Sequence, residues 1–273
     1  MRKILGTRRI RVVAMLCVAL AVAVFASACV RPGTWPIGSP GAGGALPGIY
    51  RTLGGGGCYW ERRRDLSGDF SAIIANGFSS WEPQYVEVKA SDAGFSTNGC
   101  INWWRYPDGP FAMPLATPGQ PFGTGMFMIN YEVAPGTYMA DGTNCYWSRL
   151  RDFSGESTGL ITNELSSGKQ IVTIAPTDIG FNSSRCGRWV PFASSGPPTQ
   201  SFADGTFAVN TDIVPGTYSA SGQGCYWARL SGFSGESPNL ITNHFGSGPT
   251  TVAISPSDVG FKTHGCGTWV RIA

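Results

Sequence analysis

The chain has 273 residues, of which 42% are hydrophobic and 14% charged, and a formal net charge of +3. Five of its twenty basic residues, Arg2, Lys3, Arg8, Arg9 and Arg11, fall before residue 12 with no acid among them, and the remainder carries fifteen basic against seventeen acidic groups. That balance excludes nucleic acid, or an anionic membrane surface met through a basic patch, as the partner.

Those basic residues precede an unbroken apolar run over residues 12–28, the order of a secretory signal peptide occupying residues 1–28. At 17 residues the run falls short of the roughly 20 that span a bilayer as a helix, so a retained membrane anchor is the second choice. Its end, Ala26-Ser27-Ala28-Cys29, suits both an ordinary signal peptidase and a lipoprotein peptidase, which would cut the same bond. The stretch resembles a bacterial lipobox with Cys29 as the lipidated residue, although Ala26 stands where that motif prefers Leu. Cysteine parity agrees, because losing residues 1–28 removes Cys17 and leaves seven cysteines, with Cys29 outside the repeats. The expected destination is the outer face of the cytoplasmic membrane or the cell envelope, or release from it.

Residues 29–46 read as a Gly/Pro-rich tether. Beyond it, a shift of 80 positions aligns residues 122–192 with 202–272 without a gap at about half identity, an internal repeat. Shared runs are Pro-Gly-Thr-Tyr from 135 and 215, Cys-Tyr-Trp from 145 and 225, Phe-Ser-Gly-Glu-Ser from 153 and 233, and Cys-Gly-x-Trp-Val from 186 and 266. A divergent third copy lies upstream, with Cys58-Tyr59-Trp60, Leu66-Ser67-Gly68 and Cys100 with Trp103. The expected modules are therefore residues 47–106, 122–192 and 202–273, separated by Gly/Pro-rich linkers. The first has no evident counterpart of the alternating Phe127, Ile129, Tyr131 and Val133, so it is expected to lack its opening strand.

Period-two alternation, aromatic and β-branched enrichment and frequent turn residues point to an all-β fold of three tandem antiparallel β-sandwich or barrel modules, each with five to seven short strands. Residues 160–165 offer at most one short turn of helix. One cysteine pair per copy at a spacing of 41 or 42 predicts the disulfides Cys58–Cys100, Cys145–Cys186 and Cys225–Cys266, because a module that folds by itself must close its own bridge. Zinc is the competing use of paired cysteines, but no close Cys pair and no His ligand recurs among the copies, so no metal site is expected.

Strand parity places Trp60, Trp147 and Trp227 on the cysteine face, hence in the cores. Counted from the second cysteine, Trp103, Trp189 and Trp269 fall on the other face, and the last two lie near Gly187 and Gly267. That position suits a platform for stacking a sugar ring, while cover by a linker or a neighbouring module is the alternative. Arg62, Arg149 and Arg229 recur with Asp92, Asp178 and Asp258, either as a binding clamp or as a turn aspartate with an arginine paired across the module. Glu156 with Asp178 and Glu236 with Asp258 are the carboxylate pairs an enzyme would need, but triplication suits binding better than catalysis. No nucleophile motif or phosphate loop occurs, and the only histidines, His244 and His264, are confined to the third copy. Neither an enzyme nor a small-molecule cofactor is expected.

Together, Cys-Tyr-Trp-x-Arg-Leu, Phe-Ser-Gly, Pro-Ser-Asp-x-Gly-Phe and Cys-Gly-x-Trp resemble repeat modules of secreted and lipoprotein-type actinobacterial proteins of unassigned function, and the resemblance covers nearly all of the exported chain. Its motifs bring no activity with them; the leader, the lipobox and the repeated tryptophans lead instead to the expectation of a non-catalytic protein of the cell envelope, held to the membrane by a lipid anchor and binding a cell-surface or wall polysaccharide through its repeated modules. A structural spacer or protein-interaction lipoprotein is the alternative.

Overall fold

The computed structural model describes residues 29–38, 44–107, 115–194 and 196–273; the signal peptide expected over residues 1–28 lies outside the described residues. The fold is all-β, in three modules. In the first, one layer runs Cys29–Val30, Trp103–Arg105, Gly48–Thr52, Gln84–Val88, and the other runs Gly33–Pro36, Gly94–Asn98, Cys58–Arg63, Ile73–Ser79. Every pairing is antiparallel. The layers are open at their edges, so the module is a sandwich rather than a barrel.

The opening strand is present after all. Gly33–Pro36 sets Trp35 opposite Phe95, the position that Phe127 takes opposite Phe181 and Phe207 opposite Phe261. Alternation could not reveal it, because one Trp in a Gly/Pro-rich stretch is all that remains of the apolar series. The residues expected as a tether therefore hold two strands, and the module begins near residue 29 rather than 47. Cys29 itself pairs across the sheet with Trp104.

In the second and third modules the two central hairpin arms are continuous 15-residue strands, Gly136–Leu150 with Leu160–Ile174 and Gly216–Leu230 with Leu240–Ile254. These are longer than the short strands expected. Each passes from one layer to the other at a register shift, between Gly142 and Cys145 or between Gly222 and Cys225. In the first module the same path is broken by residues 53–57. Gly54 holds φ +94° there, and a Cβ would meet the Trp81 carbonyl oxygen at 2.3 Å, so only glycine fits. The short helical turn falls at Ser157–Gly159, just before the expected place; residues 160–165 are strand.

The three expected disulfides are formed. Each lies in its module's core cluster beside Phe95, Phe181 or Phe261. First and last strands of a module meet: Phe122 and Trp189 exchange both backbone hydrogen bonds at 3.0 and 2.8 Å, Val30 lies opposite Trp103, and Phe202 opposite Trp269.

Candidate functional site

Trp103, Trp189 and Trp269 are not platforms. All three are 0% exposed, each donating its indole N–H to a buried hydroxyl at 2.8 Å, on Thr97, Ser183 and Thr263 respectively. Each also packs edge-on against a core phenylalanine at 5.4 to 5.5 Å. Parity failed because the chain changes layers between the cysteine and the tryptophan. Arg185 and Gly187 hold φ +57° and +71° around Cys186, and the next strand pairs with the opposite layer. Alternation counted along one strand does not carry across such a crossing.

The residues that do come together lie where modules meet. Cys58, Trp60 and Arg62 share one face of Cys58–Arg63, with the cysteine in the core and the arginine near the strand's end. Arg62 forks onto Asp92 through Nε and Nη2 at 2.7 and 2.8 Å, and its Nη1 donates to the Ser154 carbonyl and to Glu156 of the second module at 2.7 and 2.9 Å. The pattern recurs one module on. Arg149 forks onto Asp178 at 2.7 and 2.9 Å, and its Nη1 reaches the Ser234 carbonyl and Glu236 of the third module, both at 2.7 Å.

The incoming element is the Phe-Ser-Gly-Glu turn. Phe153 stacks on Tyr85 at 4.8 Å, and its carbonyl accepts from the Glu87 N–H at 2.8 Å; the Phe233 carbonyl accepts from the Thr173 N–H at 2.8 Å. Gly155 and Gly235, at φ +73° and +77°, lie flat on the tryptophans. A Cβ would meet Trp60 Cη2 at 2.7 Å and Trp147 Cη2 at 2.8 Å. Around the turn, Arg51 pairs with Glu132 at 2.6 Å, Lys169 with Asp212 at 2.6 Å, and Lys262 with Glu164.

Burial opposes the charges of Arg62 and Arg149, yet the bonds to the aspartate and the incoming glutamate outweigh it, and both guanidinium pKa values lie above the ordinary one. Hydrogen bonds from Lys89 and then Arg62 hold the Glu156 carboxyl below the usual glutamate range. Burial raises Tyr85, whose hydroxyl donates to Glu132 at 2.9 Å.

The Arg with Asp pairing within each module was legible, and so was the turn role of the aspartate, which accepts the Lys89, Ala175 or Ser255 N–H. The third partner was not. Glu156 and Asp178 are separated by this arrangement, since each carboxylate serves a different arginine, Arg62 and Arg149. One signal was available: Phe-Ser-Gly-Glu recurs in the two copies that follow another copy, and the first copy reads Leu-Ser-Gly-Asp. Beside the joints lie clefts of about 420 and 160 Å³ walled in part by Trp60 and Trp147, whose buried indole N–H groups have no hydrogen-bond partner among the described residues. Among the described residues, no group of His, Cys, Asp or Glu is placed to hold a metal ion.

Three disulfide-clamped modules joined by a repeated turn-to-strand contact, with the second and third also paired in parallel at Lys169 and Gly205, define a tandem-module β protein. The model of the Rv1352-like extracellular domain matches residues 30–104, 118–190 and 199–270, and the chain belongs to that family, carrying its domain three times. Uncharacterized protein Rv1352 of Mycobacterium tuberculosis (strain ATCC 25618 / H37Rv) is 33% identical over 85 residues, an alignment covering 26% of this chain and 69% of that protein. Uncharacterized protein Mb1387 of Mycobacterium bovis matches to the same extent. The modules are thus extracellular domains.

Proposed function

We propose that the chain is a non-catalytic, envelope-associated spacer whose three modules form one stiff unit. The observation that carries the reading is the ion-pair joint, made twice with the same atoms and buried against a tryptophan each time. A flexible string of independent binding modules would leave these arginines in water, whereas here the charges are spent on fixing neighbour to neighbour. Small-angle scattering on residues 29–273 carrying Cys29→Ser and Asp69→Lys, extrapolated to zero concentration, tests this: a single maximum dimension that stays fixed between low and high salt is expected, and a broad distribution of separations refutes it.

Attachment through an acylated Cys29 belongs to the same proposal and is supported by the Ala26-Ser27-Ala28-Cys29 order. Labelling with a palmitate analogue should mark the protein and be lost in Cys29→Ser; labelling that persists in the variant refutes it.

A second reading keeps the polysaccharide partner but moves its site. The joint clefts favour it, since each has Trp60 or Trp147 on its wall beside polar side chains, the setting a sugar ring stacks in. Titration with wall oligosaccharides should shift the indole N–H resonances of Trp60 and Trp147 and leave that of Trp269 unmoved. Absence of any shift removes this reading.

A further inference from the structure

The receiving face used twice within the chain exists a third time, open. In the third module Arg229 forks onto Asp258 at 2.7 and 2.9 Å as its counterparts do, but among the described residues its Nη1 has no partner, and its side chain is 24% exposed against 1% and 4% for Arg62 and Arg149. Trp227 is only half-buried, where Trp60 and Trp147 are buried. Ala253 stands opposite Thr217 in the same register as Thr173 opposite Thr137, so its N–H takes the position of the one that receives the Phe233 carbonyl. Thr242 matches Thr162, whose hydroxyl donates to the Gly235 carbonyl.

In the first module, no other module covers the matching turn among the described residues. Residues 65–70 align without a gap with the turns that dock from the second and third modules, and Gly68 holds φ +87° as Gly155 holds +73°. Leu66 is 55% and Phe70 91% exposed. Asp69 occupies the position of Glu156 and Glu236 and carries the charge that Arg229 lacks. We propose that the open face of the third module binds the turn at residues 65–70 in the first module of a second copy of this chain, joining copies head to tail. The chemistry is that of the internal joints: a carboxylate and a carbonyl on the arginine, a second carbonyl on an edge-strand N–H, and a glycine against the indole. Because the two surfaces differ, the contact is heterologous and each added copy presents a new open face, so assembly continues beyond a dimer.

Sedimentation velocity on residues 29–273 carrying Cys29→Ser, across a thousandfold range of concentration, tests the proposal. The expected result is a weight-average coefficient that rises with concentration without levelling off at a dimer. Asp69→Lys reverses the charge offered to Arg229 while breaking no side-chain hydrogen bond found among the described residues, and Ala253→Pro removes the edge N–H; each should weaken association at least tenfold. Mixed in equal amounts, the two variants still possess one intact turn and one intact face, and should form dimers that grow no further. A wild-type chain that stays monomeric throughout overturns the proposal, as does association that both substitutions leave unchanged. Failure here leaves the stiffness measured by scattering untouched.

Discussion

The second and third modules align without a gap at about half identity, yet Trp147 and Arg149 are buried while Trp227 and Arg229 are partly open. Strand geometry does not account for this, since both modules place the tryptophan and the arginine two apart on the same strand and pair the arginine with the same aspartate. The difference is the neighbour. The turn from residue 233 covers Trp147, and among the described residues no turn covers Trp227. Part of what looks like a module's core is thus supplied from outside it, which is the behaviour of repeat proteins whose stability is shared between units and interfaces.

The largest effects should be those that ignore the neighbour. Trp189→Ala and Trp269→Ala empty sites closed wholly by their own modules, and each should cost about 3 to 5 kcal/mol in denaturant unfolding. Equal losses sharpen the comparison; a much smaller loss at Trp269 would break it. Arg149→Ala should rival them, at about 3 to 5 kcal/mol, because Asp178 is left charged at 1% exposure. Arg229→Ala should cost about 1 to 2 kcal/mol, since water already reaches that guanidinium and repays part of the loss.

Glycine substitutions separate backbone strain from docking. Gly68→Ala and Gly235→Ala both force a side chain into a left-handed conformation at about 1 to 2 kcal/mol. Only at Gly235 does the new Cβ also strike a tryptophan, at 2.8 Å, whereas nothing lies within 4 Å at Gly68. The excess loss at Gly235, about 1 to 3 kcal/mol by analogy with overpacked cores, measures the joint. Loss of coupling between the melting of modules two and three should accompany it in calorimetry.

The smallest effect should be the response to acid. Glu156 has a depressed pKa in the folded chain, so its contribution is fully present above the unfolded glutamate value and is lost as pH falls through the lower, folded one. The first joint should therefore loosen on acidification while the disulfide-clamped cores persist. Hydrogen exchange at the Glu87 amide, which donates to the Phe153 carbonyl, reports it; unchanged protection through that window would contradict the assignment.

Legibility in the sequence tracked the distance between partners. The disulfides and the Arg with Asp pairs were readable because repetition fixes their spacing within one module, and Trp60 and Trp147 because they lie two residues along a regular strand from a cysteine. Trp189 and Trp269 were misread where positive-φ residues carry the chain between layers. The opening strand of the first module was hidden by its composition, Gly33-Thr34-Trp35-Pro36, which obeys turn preferences although the sheet overrides them. The arginines of the joints reach glutamates more than 80 positions away, as Arg62 reaches Glu156, and no periodicity along the chain encodes such a contact.

Each module is entered and left at one place, where Phe122 and Trp189, or their counterparts, lie side by side. For a protein under tension this decides how it fails. A pull on the two ends loads that pair one hydrogen bond after another, so the seam should open like a zipper at low force. The extension then meets a hard stop, because the bridge from Cys145 to Cys186 withholds a sequence separation of 41 residues, about 140 Å of chain at roughly 3.4 Å per residue. A module so built yields a short, early extension and then acts as a tether of fixed length.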